Sequence, residues 1–335
     1  MLPNGYFSRW NIPETYSHRK KCNVYPKTYP YVPFETAFFE NPEHYFTDDQ
    51  INEKINNGTY DLLAVEITCR IATSKFLSEE QIYDYMTIQG ICSTREEVAT
   101  RLELLLSGGF IRKIVCAVTS RVTLEAYTLG FKGSLLGRSA DVPFHKALSY
   151  VSPKKKMEMG MQALESPEEI RRILQGNQII LSWLSSNVKM QRFGFLECLR
   201  MPEGGNNNDL ILRTTAAVRL DTRNNLLVEV CRHSSEWQIS LINKISRFNR
   251  LIMHPEFLNT NSINAEANPQ LLICCEDLAH VKETYEALYE ANIFTTYPNF
   301  TPLFTYDHLL QSYPTAMFSY SMDESASYYF LPTET

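Results

Sequence analysis

The sequence predicts a two-domain α+β protein, and two stretches of the chain carry most of that prediction. Residues 61–132 have the spacing of three helices followed by two alternating strands. Residues 210–253 have the pattern strand, turn, strand and helix, and residues 270–290 add a buried strand and another helix. Mixed strands and helices of the second kind are typical of an α/β domain. We therefore expect a helical module with a β-ribbon, followed by a larger domain built on a sheet.

The composition is that of a folded chain long enough for two domains. It has 335 residues, of which 44% are hydrophobic and 21% are charged, and its formal net charge is −6. A chain of this length can bury two cores of ordinary size. The negative charge excludes a uniformly basic nucleic-acid coat, so any contact with DNA would depend on local basic patches.

The cysteines and the apolar runs predict a reduced intracellular environment. The 8 Cys include no CxxC pair and no Cys/His group with zinc spacing, so we expect buried thiols and no metal site. No apolar run reaches the ~18 residues of a membrane span, and no secretory leader is recognisable at residue 1. The sequence thus predicts a cytoplasmic protein that makes no contact with a membrane.

Residues 1–60 are rich in Pro, Tyr and Asn, as in VYPKTYPYVPF. Each Pro removes a backbone donor and disfavours helix in the preceding residue. We expect an extended N-terminal arm, with short helical turns, that lies on the body of the protein or on a partner.

Residues 61–132 predict a winged helix-turn-helix. The first helix follows the apolar spacing from Leu62 to Ile71, and Ser78 with Gln81 forms a capping box at the start of the second. Ser93 or Thr94 caps the third helix, which ends at two glycines. Two alternating strands around a turn then form the ribbon, or wing.

In such a module the third helix, about residues 94–107, enters the major groove of DNA, and the wing contacts the backbone. Arginine can recognise guanine, and both Arg and Lys neutralise phosphate. Glu96, Glu97 and Glu103 lie on the same helix and lower its positive potential, which leaves a protein-protein adaptor as the alternative. The candidate DNA-binding residues are Arg95, Arg101, Arg112, Lys113 and Arg121.

Residues 133–165 predict a linker, and residues 166–310 predict the α/β domain. Ser166-Pro167-Glu168-Glu169 is a strong helix start, and two helical stretches are expected before residue 191. Further along we expect a buried parallel strand at 270–275, a helix at 276–290, and short strands at 293–296 and 303–306. Residues 311–335 form a C-terminal tail whose pairing the pattern does not assign.

The core of the second domain is predicted from two β-branched runs, Thr214–Leu220 and Leu226–Cys231. Asn224-Asn225 between them can form a two-residue hairpin turn, because Asn tolerates positive φ. In that register Leu220 faces Glu229 and Asp221 points to the opposite side of the sheet from Glu229. A helical stripe from Trp237 to Leu251 follows.

This order resembles the core of restriction-endonuclease-like domains and, more narrowly, the replication-relaxation and plasmid-mobilisation accessory family, over roughly residues 61–310. That family typically has a Pro-Asp before the first strand, a Glu-x-Asp or Glu-x-Lys on the second, and a Lys in the next helix. Here Glu229-Val230-Cys231 sits at the place of the strand motif, Lys244 at that of the helical lysine, and Thr214-Thr215 at that of the Pro-Asp. The ribbon's end, AYTLGFKG, also resembles the family's wing.

The departures from the family pattern predict loss of catalysis. A Mg²⁺-dependent nuclease needs two or more carboxylates around the metal. Cys231 is a poor Mg²⁺ ligand and cannot replace a lysine, and Thr215 carries no charge. We expect a vestigial site made of Thr215, Glu229, Cys231 and Lys244, with no cofactor unless the site is active and binds Mg²⁺.

The resemblance implies a DNA-binding accessory protein of a mobile genetic element, acting in plasmid or conjugative-element mobilisation or replication. The implied partners are double-stranded DNA, other proteins of a mobilisation or replication complex, and a second copy of the chain. Two alternatives remain open from the residues: a metal-dependent phosphodiesterase using Glu229 and Lys244, and a protein adaptor that binds no nucleic acid.

Other catalytic patterns are missing from the sequence. It contains no phosphate-binding glycine loop and no G-x-S-x-G nucleophile elbow. The 7 His are dispersed, and His233 is of interest because it lies two residues beyond Cys231. Such a pair could form a thiolate nucleophile or hold a soft metal, with no further support from the sequence.

Overall fold

The computed structural model describes residues 27–133, 166–202, 209–221, 224–258, 269–320 and 326–333. Within these ranges the chain divides into two units, one of residues 32–177 and one of residues 27–31 together with residues from 178 onward. Helices and strands are mixed in the chain, which confirms the predicted α+β class. The predicted linker lies outside the described residues from position 134 to position 165.

In its described residues, the first unit joins helices α1 to α4 to a three-stranded sheet. The strand order is β1-β2-β3, and both pairings are antiparallel. The start of a fifth helix, α5 (Pro167–Ser185), also belongs to this unit. The elements are β1 (Thr36–Glu40), α1 (Asp48–Asn56), α2 (Leu62–Ser74), α3 (Glu79–Ile88), α4 (Arg95–Ser107), β2 (Ile111–Val118) and β3 (Arg121–Leu129).

The three helices and the hairpin predicted for residues 61–132 are present. The predicted capping box of Ser78 and Gln81 starts α3, and an equivalent box makes Thr94 the N-cap of α4. The apolar faces of α3 and α4 are buried, with Ile82 and Val98 inaccessible to solvent. An isolated antiparallel bridge joins Leu77, between α2 and α3, to Tyr127 of β3.

Part of the predicted N-terminal arm forms regular structure in the first unit. Residues 36–40 form β1, which pairs with β2 from Thr36↔Ala117 to Glu40↔Lys113. Thr36 and the two aromatic residues of TAFFE favour a strand, and β2 offers this segment an open edge. Residues 48–56 form α1, with a capping box from Thr47.

Helix α3 carries a buried carboxyl group. Asp84 is 9% exposed, and burial raises its pKa to about 7, although nearby Arg95 acts in the opposite direction. Because the pKa is higher in the folded than in the unfolded state, the folded state gains stability as the pH falls from about 7 to about 4. Above pH 7 the ionised Asp84 carboxylate lowers the free energy of unfolding.

We expect Asp84→Asn to raise the free energy of unfolding at pH 8 by about 2–4 kcal/mol, since the buried charge is removed. The gain should disappear below about pH 4, where the wild-type carboxyl is protonated in both states. Urea unfolding followed by circular dichroism at several pH values measures the difference. Glu96→Gln, an exposed change on α4, is the control. A stability gain that is independent of pH would contradict a raised pKa for Asp84.

The second unit contains a seven-stranded mixed sheet, ordered β12-β11-β10-β9-β8-β7-β4, and a separate β5-β6 hairpin. The β8-β9 and β9-β10 pairs are parallel, and the other pairs are antiparallel. Its strands are β4 (Arg192–Phe195), β5 (Cys198–Pro202), β6 (Asp209–Arg213), β7 (Ala216–Arg219), β8 (Asn225–Val230), β9 (Gln270–Cys275), β10 (Leu303–Tyr306), β11 (Ala316–Tyr320) and β12 (Ala326–Phe330). Its helices are the end of α5, α6 (Trp237–Ile252), a 3-10 turn (Pro255–Phe257), α7 (Leu278–Glu290), α8 (Ile293–Thr296) and α9 (Asp307–Ser312).

One core cluster of this unit joins α6 and α7 to the central strands. Ile245 and Phe248 of α6 pack with Leu227 of β8, Ile273 of β9 and Phe304 of β10. Helix α6 lies between the parallel strands β8 and β9 in the chain, and β8 and α6 carry Glu229 and Lys244 of the candidate site.

Two elements of this unit differ from the sequence predictions, and the structure assigns the pairing of a third. Residues 293–296 form a helical turn rather than a strand, because Asn292 adopts a left-handed conformation (φ 56°) and begins a new turn. Helix α5 is continuous rather than two stretches, and the side chain of its buried Asn177 donates to the carbonyl of Ile173. The C-terminal tail contributes β11 and β12 to the large sheet.

The hairpin register also differs from the prediction. Ala216 pairs with Val228 and Arg219 pairs with Asn225, so position 215, not Leu220, stands opposite Glu229. The Asp221 carboxylate accepts hydrogen bonds from the backbone N (2.8 Å) and side-chain N (2.7 Å) of Asn224. This side-chain turn closes a longer loop than the predicted Asn224-Asn225 turn.

Candidate functional site

Two of the five cations predicted to bind DNA are held by carboxylates of the same unit. The Arg101 guanidinium contacts Asp61 through Nη2 (2.6 Å) and Nε (3.1 Å). The Lys113 ammonium lies between Glu40 (2.7 Å) and Glu125 (2.8 Å). These pairs reduce the positive charge that Arg101 and Lys113 can offer to phosphate.

The other three predicted cations are placed differently. The Arg95 side chain, at the first residue of α4, is 59% exposed and lies 3.8 Å from Glu80. Arg112 stacks on the ring of Phe39, with 3.3 Å from the guanidinium carbon to the ring centroid. Arg121 is exposed at the hairpin turn. Arg95 and Arg121 thus remain the most accessible members of the predicted set.

The acidic residues of α4 do not all lower its surface potential equally. The Glu97 carboxylate caps its own helix by accepting hydrogen bonds from the backbone N–H groups of Ser93 (2.8 Å) and Thr94 (3.2 Å). These bonds hold the pKa of Glu97 below its usual value. Glu96 and Glu103 remain exposed on the helix.

In the second unit, three of the four vestigial-site residues come together. Glu229, on β8, is 5% exposed, and its Oε1 lies 2.5 Å from the Nζ of Lys244 on α6. The other oxygen, Oε2, lies 3.5 Å from Oγ1 of Thr215, which also accepts a hydrogen bond from the backbone N of Val230 (3.2 Å). These three residues were expected at one site, and they lie close together in a hairpin whose register differs from the predicted one.

This arrangement lacks the ligand set of a magnesium site. In the part of the chain that the structure describes, Glu229 belongs to no group of three or more metal-ligating side chains. The Lys244 ammonium neutralises the charge of the Glu229 carboxylate, and the Thr215 hydroxyl faces its second oxygen. The site therefore contains a buried ion pair between Glu229 and Lys244 and not a set of metal ligands.

Cys231 lies beside this pair but faces a different residue from the one that sequence spacing suggested. Its Sγ is 3.7 Å from Nε2 of His280. Burial raises the pKa of the thiol to about 12, and the charge of Glu229 acts in the same direction. A neutral thiol is a weak nucleophile, and His233 pairs with Glu276 and Glu283, so this geometry does not favour the suggested Cys231-His233 thiolate.

The next residue anchors this end of the sheet through a buried ion pair that the sequence did not indicate. Arg232 donates from Nη2 to Asp307 (2.8 Å), from Nε to the carbonyl of Tyr29 (2.9 Å) and from Nη1 to the carbonyl of Cys231 (3.0 Å). Both charged side chains are under 10% exposed. Burial raises the pKa of Asp307 to about 6, against the opposing effect of Arg232.

A second polar group forms where β8 and β9 end. The rings of His233 and His280 stack with centroids 3.8 Å apart, and the edge of Trp237 packs on His280. His233 reaches Glu276 through Nδ1 (2.8 Å) and Glu283 through Nε2 (3.1 Å). We call His233, Glu276 and His280 the histidine cluster.

The pKa values of the two imidazoles in the cluster are shifted in opposite directions. Burial lowers the pKa of His280 to about 3, so that ring is neutral near pH 7. Burial also acts against the charged form of His233, but hydrogen bonds to Glu276 and Glu283 outweigh it and raise the pKa of His233.

The sequence did not reveal this cluster, because His233 is more than 40 positions away from Glu276 and His280. The available indication was that His233 and Glu276 both follow predicted strands. The carboxyl ends of neighbouring parallel strands meet at one edge of a sheet, where ligand sites are common.

Comparison with known proteins adds no family assignment. No family model, no curated protein and no solved structure matches the chain.

Within the described ranges, no helix combines the length and apolar character needed to cross a bilayer.

Proposed function

We propose that this protein binds duplex DNA through the first unit, acting as a winged helix-turn-helix. The observation that carries the proposal is the order of elements: α2, the Leu77 bridge to β3, α3, α4 and the β2-β3 hairpin. In this fold the bridge supplies the short third strand beside the wing, and α4 is the recognition helix.

The charge distribution supports a small electrostatic contact. Arg95 stands at the N-terminal turn of α4, which is the part of a recognition helix that faces base edges. Arg112 and Arg121 lie on the hairpin that would act as the wing. If all three contact phosphate, the slope of log K against log salt should be about −2.7, from a contribution of about −0.9 for each phosphate.

For the second unit we propose a nuclease-like scaffold that does not cut DNA. Its support is the order α5, three antiparallel strands β4-β7-β8, helix α6, and β9 parallel to β8, with Glu229 on the third strand. We propose that this unit contacts protein partners in an accessory complex of a mobile element, as the resemblance implies.

A salt titration of binding to a mixed-sequence duplex tests the DNA proposal. We expect Arg95→Ala with Arg121→Ala to weaken binding and to reduce the salt slope by about 2, because two phosphate contacts are lost. The matched control is Arg247→Ala with Arg250→Ala, two exposed arginines of α6. This control should retain the wild-type slope.

Two results would count against the proposal. If the wild-type protein fails to bind at low salt, a protein adaptor becomes the better account of the first unit. Mg²⁺-dependent cleavage that is lost in Glu229→Gln would refute the non-catalytic assignment of the second unit and establish a phosphodiesterase.

A further inference from the structure

We propose that His233, Glu276 and His280 bind a divalent transition-metal ion, with Zn²⁺ as the best fit. The nitrogen and oxygen atoms that these side chains would contribute all lie within 4.8 Å of one another. The proposed site is independent of DNA binding by the first unit, and it does not use the Glu229-Lys244 pair.

The three side chains come from backbone segments that are already fixed. His233 follows β8, Glu276 follows β9, and His280 lies in the first turn of α7. Asp277 caps this helix by accepting a hydrogen bond from the backbone N of His280 (2.8 Å). A metal ion would therefore bind with little cost in ordering of the chain.

The chemistry of the donors selects among metals. Two imidazoles and one carboxylate form a ligand set found in zinc sites, and three protein ligands leave a coordination position open. Mg²⁺ and Ca²⁺ prefer sites made mainly of oxygen atoms. The histidine cluster therefore favours Zn²⁺ or a similar ion over the Mg²⁺ that a nuclease would use.

The ring of His280 is oriented with a lone pair toward Glu276. Its Nδ1 accepts a hydrogen bond from the backbone N of Glu276 (3.3 Å), while Nε2 faces the sulfur of Cys231 (3.7 Å). The unprotonated Nδ1 is the form that a metal ion requires. The long bond to the backbone N is the contact that a metal ion would replace.

The surroundings of the other two ligands match those of metal sites. Nδ1 of His233 faces Glu276, and its second nitrogen faces the Glu283 carboxylate (3.1 Å), an arrangement typical of metal-bound histidine. The backbone N of Tyr31 donates to the second oxygen of Glu276 (2.6 Å) and orients that carboxylate.

Calorimetric titration of the full-length protein with Zn²⁺, after removal of metal by a chelator, tests the proposal. We expect one strong site in the wild type and at least a tenfold weaker Kd in His233→Ala. Glu283→Gln should weaken binding about tenfold, as the loss of an outer carboxylate commonly does. Titration with Co²⁺ should give the visible absorption bands of a bound ion, and His233→Ala should lack them.

The controls are matched to the ligands and to the folding of the chain. His308→Ala and Glu286→Gln change exposed residues of the same unit and should bind Zn²⁺ like the wild type. Circular dichroism confirms folding of each variant; Glu283→Gln serves as the second variant because Glu283 is half exposed. Equal affinity in the wild type, His233→Ala and Glu283→Gln would overturn the proposal and assign the binding to the cysteine thiols. Absence of strong binding in the wild type would overturn it as well.

Discussion

Arg232→Met is expected to lower the free energy of unfolding of the second unit by about 3–5 kcal/mol, because it leaves the Asp307 carboxylate buried without its cation. The guanidinium also satisfies the carbonyls of Tyr29 and Cys231, so two further acceptors lose their donor. Trp183 and Trp237 lie in this unit, and their fluorescence reports its unfolding in urea.

The pH dependence of this loss has a definite sign. Burial already raises the pKa of Asp307 to about 6 with Arg232 present, and removing that cation must raise the pKa further. The carboxyl of the variant then takes up its proton at a higher pH than the wild-type carboxyl does, so the penalty of Arg232→Met should shrink as the pH falls toward about 6 and change little below it. A penalty that is constant from pH 8 to pH 5 would contradict this account.

Two variants distinguish the effect of breaking the buried ion pair on stability from the effect of losing any arginine. Arg232→Met with Asp307→Leu should recover part of the lost stability, since no unpaired charge remains in the interior. Arg213→Met, an exposed change on β6, should alter stability by under ~0.5 kcal/mol.

Lys244→Met is expected to cost about 2–4 kcal/mol, because the Glu229 carboxylate beside it is 5% exposed and has little access to water. The effect should be smaller than that of Arg232→Met because the Lys244 side chain is 21% exposed. Urea unfolding followed by tryptophan fluorescence measures this change, with exposed Lys189→Met as the control.

A double-mutant cycle with Glu229→Gln tests whether the two side chains act as a pair. We expect Lys244→Met to cost much less when Glu229 is already Gln, which corresponds to a coupling energy of about 1–3 kcal/mol. Additive effects of the two substitutions would show that the ion pair contributes nothing to stability. Such a result would also remove the structural reason for retaining a charged pair at this position.

Local patterns predicted many of the helices and strands of both units. The capping box at Ser78, the apolar spacing of α6 and the continuous apolar run of β9 all depend on residues close together in the chain. Such patterns report which backbone conformation satisfies nearby polar groups and buries one face. The short segment at 293–296 was assigned wrongly, because four apolar and β-branched residues fit a strand or a helical turn equally well.

The sequence by itself determined the α+β class, the three helices with a hairpin, and the strand-helix-strand core around Glu229. It also matched Thr215, Glu229 and Lys244 to one site. Only the tertiary structure decided the hairpin register, because the Asp221-Asn224 turn selects it. Only the tertiary structure brought Glu276 and His280 to His233, because contacts between residues more than 40 positions apart depend on strand order and crossover packing. The same long-range packing buried Arg232 against Asp307, and that burial makes the pair matter for stability.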